Sequence, residues 1–350
     1  MTVLRETPRT RFAASSFAPG PAESRGLARD EVRLLVATPD GLSHERFGDL
    51  PDHLRAGDVL VVNTSATVAG EVDADLDGRP VVLHVAHRLD DGDAVVELRT
   101  APDAARALLT ATAGGVVRVG DVRLVLRGPW PAGQASSPTG VGNRLWRVAV
   151  RGDLDRQLDW TGRPIAYGYL DRRYPLADYQ TVFGTRPGSA EMASAGRPFT
   201  HELVTRLVTA GVQLAPVTLH TGLSSQEAGE APGPEWFEVT PTSARVINQA
   251  RANGGRVVAV GTTATRAVES TVRGSSVVAG RGWSDRVVTP AAPPRVVDGL
   301  VTGWHDPMAS HLLLVESVAG ARLTQAAYDA AVAEGYLWHE FGDSALLMRR

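Results

Sequence analysis

RVVAVGTTATRAVES, residues 256–270, decides the fold of this chain. Four apolar residues, Val257 to Val260, run without a polar break, as in a strand buried on both faces. Gly261-Thr262-Thr263 then ends the strand, and helical spacing resumes near Ala264. A buried strand feeding a helix through a glycine is the unit of an α/β layer.

The neighbouring segments repeat that alternation. Upstream, TSARVINQARANGG (242–255) reads as a helix closed by Gly254, and QLAPVTLHTGL (213–223) as a strand. HELVTRLVTAGV (201–212) carries apolar residues at Leu203, Leu207 and Val208, with Thr200 as its N-cap and Gly211 as its stop. Near the N-terminus, EVRLLVATPDG (31–41) is a strand with turn chemistry at Pro39-Asp40-Gly41, followed by the buried run AGDVLVVNTS (56–65).

Between Ala66 and Leu158 the texture differs. Short valine-rich runs, among them PVVLHVAHRL (80–89), AVVELRT (94–100) and RLWRVAV (144–150), are separated by Gly and Asp. Close-set strands with turns between them predict a small barrel or sandwich. The expected architecture is an α/β main domain, residues 1–65 and 159–350, carrying an inserted all-β, barrel-like domain, residues 66–158. Residues 1–28, rich in Pro, Ser, Ala and Arg without periodicity, read as a loosely ordered arm, and the Gly/Pro/Ser-rich residues 128–142 as an exposed loop.

Composition excludes several classes of function. The 350 residues carry 36 basic groups, all arginine, against 39 acidic ones, a net charge of -3. No global positive field draws this chain to nucleic acid, so an RNA contact needs a local patch. Cysteine is absent, which removes disulfides, thiolate metal sites and a cysteine nucleophile. No apolar run is long enough for a membrane span or a secretory leader, so the expected location is cytoplasmic. His84 and His87 are three apart in a strand and point to opposite faces, so they make no metal pair.

Three places can carry chemistry. At Gly261-Thr262-Thr263 free backbone N–H groups and two hydroxyls gather where a helix begins, which suits an anion; a simple capped turn is the alternative there. Arg266 and Glu269 lie three apart on that helix and can pair. His220 ends a strand before Thr221-Gly222-Leu223, and His305 sits between an extended run and a helix beside Trp304, a ring able to stack on a nucleobase or simply to pack.

In order along the chain, these segments resemble the S-adenosylmethionine:tRNA ribosyltransferase-isomerase (QueA) family. The resemblance rests on residues 25–65, on DYQTVFGTRPGSAEMASAGRPFT (178–200), APVTLHTGL (215–223), PEWFEV (234–239), residues 254–270, PPRVVDGLVTGWHDP (293–307) and EFGDSALL (340–347). It implies an enzyme that uses S-adenosylmethionine as a ribosyl donor. The acceptor would be the aminomethyl group of a 7-deazaguanine base in tRNA, and adenine and methionine would leave. A sulfonium acidifies the adjoining ribose carbon and is a good leaving group, so a base and nucleobase contacts suffice without a metal.

The resemblance further implies His305 and His220 as candidate bases. As substrate-binding residues it implies Gly261, Thr262, Thr263, Arg266, Gly196, Phe199, Thr200, Gly222, Leu223 and Glu235, and Ser194 and Trp304 are expected in the same pocket. The pocket would form from segments 194–200, 218–224, 261–266 and 302–307. Several polar positions of the family's motifs are replaced: histidines by Pro198 and Gly233, an asparagine by Gly303, an aspartate and an arginine within VNTSAT (62–67), and an RST run by Met308-Ala309-Ser310. These losses leave room for a small 7-deazapurine acceptor in place of tRNA, or for a nucleoside-binding relative without catalysis.

Overall fold

The computed structural model describes residues 6–13, 16–132, 141–224, 230–307 and 309–349. Among them are nineteen strands and six α-helices. The strands are β1 (Arg33–Thr38), β2 (Gly41–Arg46), β3 (Val59–Asn63), β4 (Ser65–Thr67), β5 (Glu71–Leu76), β6 (Arg79–Arg88), β7 (Ala94–Thr100), β8 (Val116–Val119), β9 (Val122–Pro129), β10 (Leu145–Arg151), β11 (Arg186–Ser189), β12 (Gln213–Leu219), β13 (Glu235–Val239), β14 (Val257–Val260), β15 (Val272–Arg273), β16 (Ser276–Val277), β17 (Gly280–Ser284), β18 (Gly299–Gly303) and β19 (Ser344–Met348). The helices are α1 (Leu154–Thr161), α2 (His201–Thr209), α3 (Pro241–Ala252), α4 (Gly261–Ser270), α5 (His311–Ala319) and α6 (Ala321–Ala333).

Nine strands form one mixed sheet in the order β17-β13-β12-β3-β14-β18-β19-β1-β2. Its centre is parallel: β3 pairs with β12 and β14, and β14 with β18. Helices cover both faces, which is why β14 is apolar throughout and β3 is apolar up to its last residue, Asn63. Val59, Val61, Val257 and Ala259 pack among α3, α4 and α5 residues such as Ile247, Val268 and Leu312. Leu60, Val62, Val258 and Val260 pack on the other side against Leu203, Leu207, Phe47 and Phe199. The chain is therefore α/β in its main part.

The second body is a closed barrel, β10-β7-β6-β5-β8-β9, with its own core of Val72, Leu83, Val96, Leu98, Leu124 and Trp146. Next to that core runs a buried ionic network. Glu71, fully buried, meets His84 at 3.0 Å, Arg163 at 2.6 Å and Arg173 at 2.8 Å. Glu97 meets Arg99 at 3.0 Å and Arg144 at 3.4 Å, and Arg144 pairs with Glu230, which reaches in from the main part.

Three readings of local structure change. Helix α4 begins at Gly261 rather than near Ala264, because Gly261 adopts φ +90° and lets the chain turn directly into the helix. A side chain at this position would lie 3.3 Å from the Ala195 Cβ. The described parts of the supposed loose arm are anchored: Thr10 N–H donates to Glu316 Oε1 at 2.6 Å, Phe12 packs on Tyr328, and Ala18 N–H donates to Trp338 O at 3.0 Å. Two phenylalanines without periodicity hold that segment. Arg266 and Glu269 do not pair: Glu269 accepts the N–H groups of Arg295 and Val296, while Arg266 turns to Glu235. Of the loop read at 128–142, residues 133–140 lie outside the described residues.

Candidate active site

The parallel strands β3, β12, β14 and β18 all end at the same edge of the sheet, so the segments that follow them converge there. Strand β19 runs antiparallel to β18, pairing Ser344 with Gly303, and so brings residues 339–343 to that edge as well. Asn63, at the end of β3, locks the edge together. Its side-chain amide donates to Leu219 O at 2.9 Å and to Thr263 Oγ1 at 3.3 Å, and its Oδ1 accepts from Leu219 N–H at 3.0 Å.

A cavity of about 240 Å³ opens at this edge. The N-terminus of α4 (Gly261, Thr262, Thr263) forms one wall, and no side chain caps that helix end. His305, His311 and His339 form a second wall. The His305 and His311 rings are stacked 4.9 Å apart, His339 Nε2 lies 3.1 Å from His305 Nδ1, and Thr302 Oγ1 lies 3.1 Å from His305 Nε2. Burial holds all three imidazoles below the usual histidine range, His311 and His339 to about 4. The cluster is therefore neutral near pH 7.

A third wall is aromatic and acidic. Phe17 stacks on Tyr169 at 4.5 Å, and Tyr169 on Tyr167 at 5.9 Å. The Tyr167 hydroxyl donates to Glu191 Oε1, and Glu191 also accepts from Ser224 N–H at 3.0 Å and from the Ser224 hydroxyl at 2.5 Å. The Tyr169 hydroxyl accepts the Glu340 N–H at 3.1 Å. Glu340 Oε2 is buried without a partner, and burial first, then the charge of Glu191, pushes the Glu340 carboxyl well above the usual range. The acids Glu191, Asp306 and Glu340 line this cavity, with no arginine among its described lining residues.

A narrower lobe continues past Thr221, Thr262 and His311 to Leu223, Glu235 and Arg266. Arg266 is committed there to Glu235 and to Gly233 O at 2.8 Å. Glu235 also accepts the Gly222 N–H at 3.0 Å. Gly222 packs so closely on His87 that a Cβ would sit 2.4 Å from its Nε2.

Of the expected site residues, Ser194, Gly261, Thr262, Thr263 and His305 meet in the cavity, and Arg266, Leu223 and Glu235 line the adjoining lobe. The others stand elsewhere. His220 is tied to Ser65 Oγ at 2.7 Å, stacks on Trp236 at 5.1 Å and is not among the residues lining the cavity or its lobe. Trp304 is a core residue, 1% exposed, packed edge-on against Tyr328 at 4.9 Å. Phe199 is likewise interior, between Phe47 and Phe183, and Gly196 packs against Thr181 and Phe183. Thr200 caps α2 by accepting the Leu203 N–H. Gly222 serves as a close-packing position.

Sequence reasoning missed Phe17, Tyr167, Tyr169, Glu191, His311, His339 and Glu340. Tyr167 and Tyr169 flank Gly168 in a turn closed by the Leu170 N–H on Tyr167 O at 3.2 Å. These residues carry no local signal. Among the described residues no group of three or more His, Asp or Glu is placed to hold a metal, and no helix is long and apolar enough to cross a membrane.

Comparison with known proteins agrees with this geometry. The family model for "Queuosine biosynthesis protein" matches residues 11–347. The S-adenosylmethionine:tRNA ribosyltransferase-isomerase of Desulfitobacterium hafniense is 31% identical over 335 residues, covering 91% of this chain and 94% of its own. That of Thermus thermophilus is 34% identical over 334 residues, covering 91% and 93%. The crystal structure of S-adenosylmethionine tRNA ribosyltransferase from Thermotoga maritima superposes with a TM-score of 0.51 at 25% identity, covering 95% of this chain and 96% of that one.

Proposed function

Because the chain belongs to the queuosine biosynthesis protein family, we propose that it is an S-adenosylmethionine:tRNA ribosyltransferase-isomerase acting in the cytoplasm. The observation that carries this reading is the acid-bearing, arginine-free lining of the cavity. Three acids, three neutral imidazoles and no arginine line it among the described residues. A donor bearing a sulfonium and an ammonium suits such a lining, and so does an acceptor bearing an aminomethyl group. The uncapped start of α4, with Thr262 and Thr263, suits the donor's carboxylate. The Phe17–Tyr169–Tyr167 stack suits a planar base.

His305 is the candidate base for the acidified ribose C5′ proton. It is held neutral, and hydrogen bonds at both ring nitrogens fix its orientation. The acceptor we assign is a 7-aminomethyl-7-deazaguanine in tRNA. The test is to incubate the protein with S-adenosylmethionine and tRNA carrying that base and to measure adenine and methionine. Release of both only with the RNA supports the reading. Release with the free 7-deazapurine alone would move the acceptor to a small molecule, and donor binding without release would make the protein a binding relative.

A further inference from the structure

Two buried carboxyls share the hydroxyl edge of the stacked tyrosines, and they are not equivalent. Glu191 accepts three donors, the Tyr167 hydroxyl and the Ser224 N–H and hydroxyl. Those donors take up both of its carboxyl oxygens. Glu340 lines the same cavity and is held in place through its backbone N–H on Tyr169, yet its Oε2 is buried with no partner. Burial first, and then Glu191, oppose ionisation of Glu340, and with no donor on its Oε2 the proton resides on this carboxyl. The groups around Glu340 support this. Tyr167 and Tyr169 are neutral phenols, their ionisation opposed by burial first and then by the glutamates, and His339 is neutral. Arg197, the cation acting on Glu340 among the described residues, is engaged with Glu23 at 3.0 Å and with Asp178 O at 2.9 Å.

A carboxylic acid offers a donor and an acceptor side by side. That pair complements the amidine edge of an aminopurine, a ring nitrogen beside an amino group, whereas the two adjacent donors of a guanine-type edge would call for a carboxylate. Resting on the donor proposed above, we propose that Glu340 is the acid that protonates the donor's adenine as it leaves. The C1′–N9 bond breaks and its electron pair departs with the base. The ring-oxygen lone pair meets the deficit at C1′, and the Glu340 proton passes to a ring nitrogen of the purine. The carboxylate that remains regains a proton from solvent once adenine has gone. Stacking on an outer ring of the Phe17–Tyr169–Tyr167 stack holds the base in reach.

The experiment compares wild type with Glu340→Gln for adenine release and for S-adenosylmethionine affinity. An amide keeps a donor and an acceptor but cannot release a proton. Adenine release should therefore fall by roughly 10²-fold or more, with the Kd changed by less than about threefold, since the neutral hydrogen bonds remain. A donor carrying 2-fluoroadenine, a less basic leaving group, should recover most of the lost rate in the variant, which a merely structural role would not allow. Equal losses with both donors, or release by the variant within about threefold of wild type against the 10²-fold expected of an acid, overturn the assignment. If wild type itself releases no adenine, the donor reading fails first and this proposal with it. Should the variant not fold, the wild-type pH profile decides: the rate falls on the alkaline side with the natural donor, and that limb is absent with 2-fluoroadenine. An alkaline limb identical for both donors rejects the idea.

Discussion

At the scale of single residues, the imidazole of His305 is defined by its two neighbours. Thr302 Oγ1 and His339 Nε2 each lie 3.1 Å from one of its ring nitrogens. Burial first, and then His311 and His339, hold it well below its ordinary range. A base that must be neutral to act then stays neutral in mild acid, so the acid limb of kcat/KM should fall below pH 6.5, the ordinary histidine value. His305→Ala should lower turnover by roughly 10²–10⁴-fold while calorimetry still detects donor binding; unchanged turnover would remove His305 from the mechanism. Phe199 presents the opposite case. It was expected in the pocket, but it is wholly interior between Phe47 and Phe183. Phe199→Ala should cost about 3–5 kcal/mol in chemical denaturation, and the folded fraction should bind donor as wild type does.

At the scale of elements, most of the framework was legible and much of the site was not. Thr200 as cap of α2, the Val257–Val260 strand and the valine-rich barrel follow from local rules, since capping, unbroken apolar runs and close-set turns leave marks in adjacent residues. Glu191, His339 and Glu340 reach the cavity only because β19 returns antiparallel to β18 and the 189–196 segment crosses the sheet edge, which no local pattern encodes. The histidines missing at Pro198 and Gly233 were conspicuous in the sequence, yet His311 and His339 bring imidazoles to the cavity from elsewhere. The barrel supports a prediction of its own. Burial opposes ionisation of Glu71, but His84 and Arg163 outweigh it and pull the carboxyl down to about 2. A lowered carboxyl stabilises the fold above its unfolded value near 4.5 and loses that contribution as pH falls toward about 2. Glu71→Gln leaves three cationic partners around an uncharged amide and should cost about 3–5 kcal/mol at neutral pH. The gap to wild type should close between pH 4.5 and about 2, and a gap independent of pH would reject the assigned charge state.

For the molecule as a whole, acid stability is set by how many imidazoles are folded away neutral. His87, His220, His305, His311 and His339 are all held below the ordinary value of 6.5, burial being the first cause for each. Once unfolded, each takes up a proton near pH 6.5, so between that value and about 4 the unfolded chain binds more protons than the native one. Stability must therefore decline as pH falls through this window. His84, raised by Glu71 and Glu97 against the opposing effect of its burial, pulls the other way, as do Glu235 and Glu340, whose carboxyls burial pushes up. Five groups act against three, and the net slope should follow the five. Thermal melts at constant ionic strength should show Tm dropping steadily from pH 7 to pH 5, before most carboxylates titrate. A saturating donor should flatten the drop, because a ligand that needs His305 neutral favours the unprotonated native state. A Tm that rises on acidification across this range would mean that the imidazoles are solvated or charged in the fold, and the neutral cluster at the cavity wall would go with them.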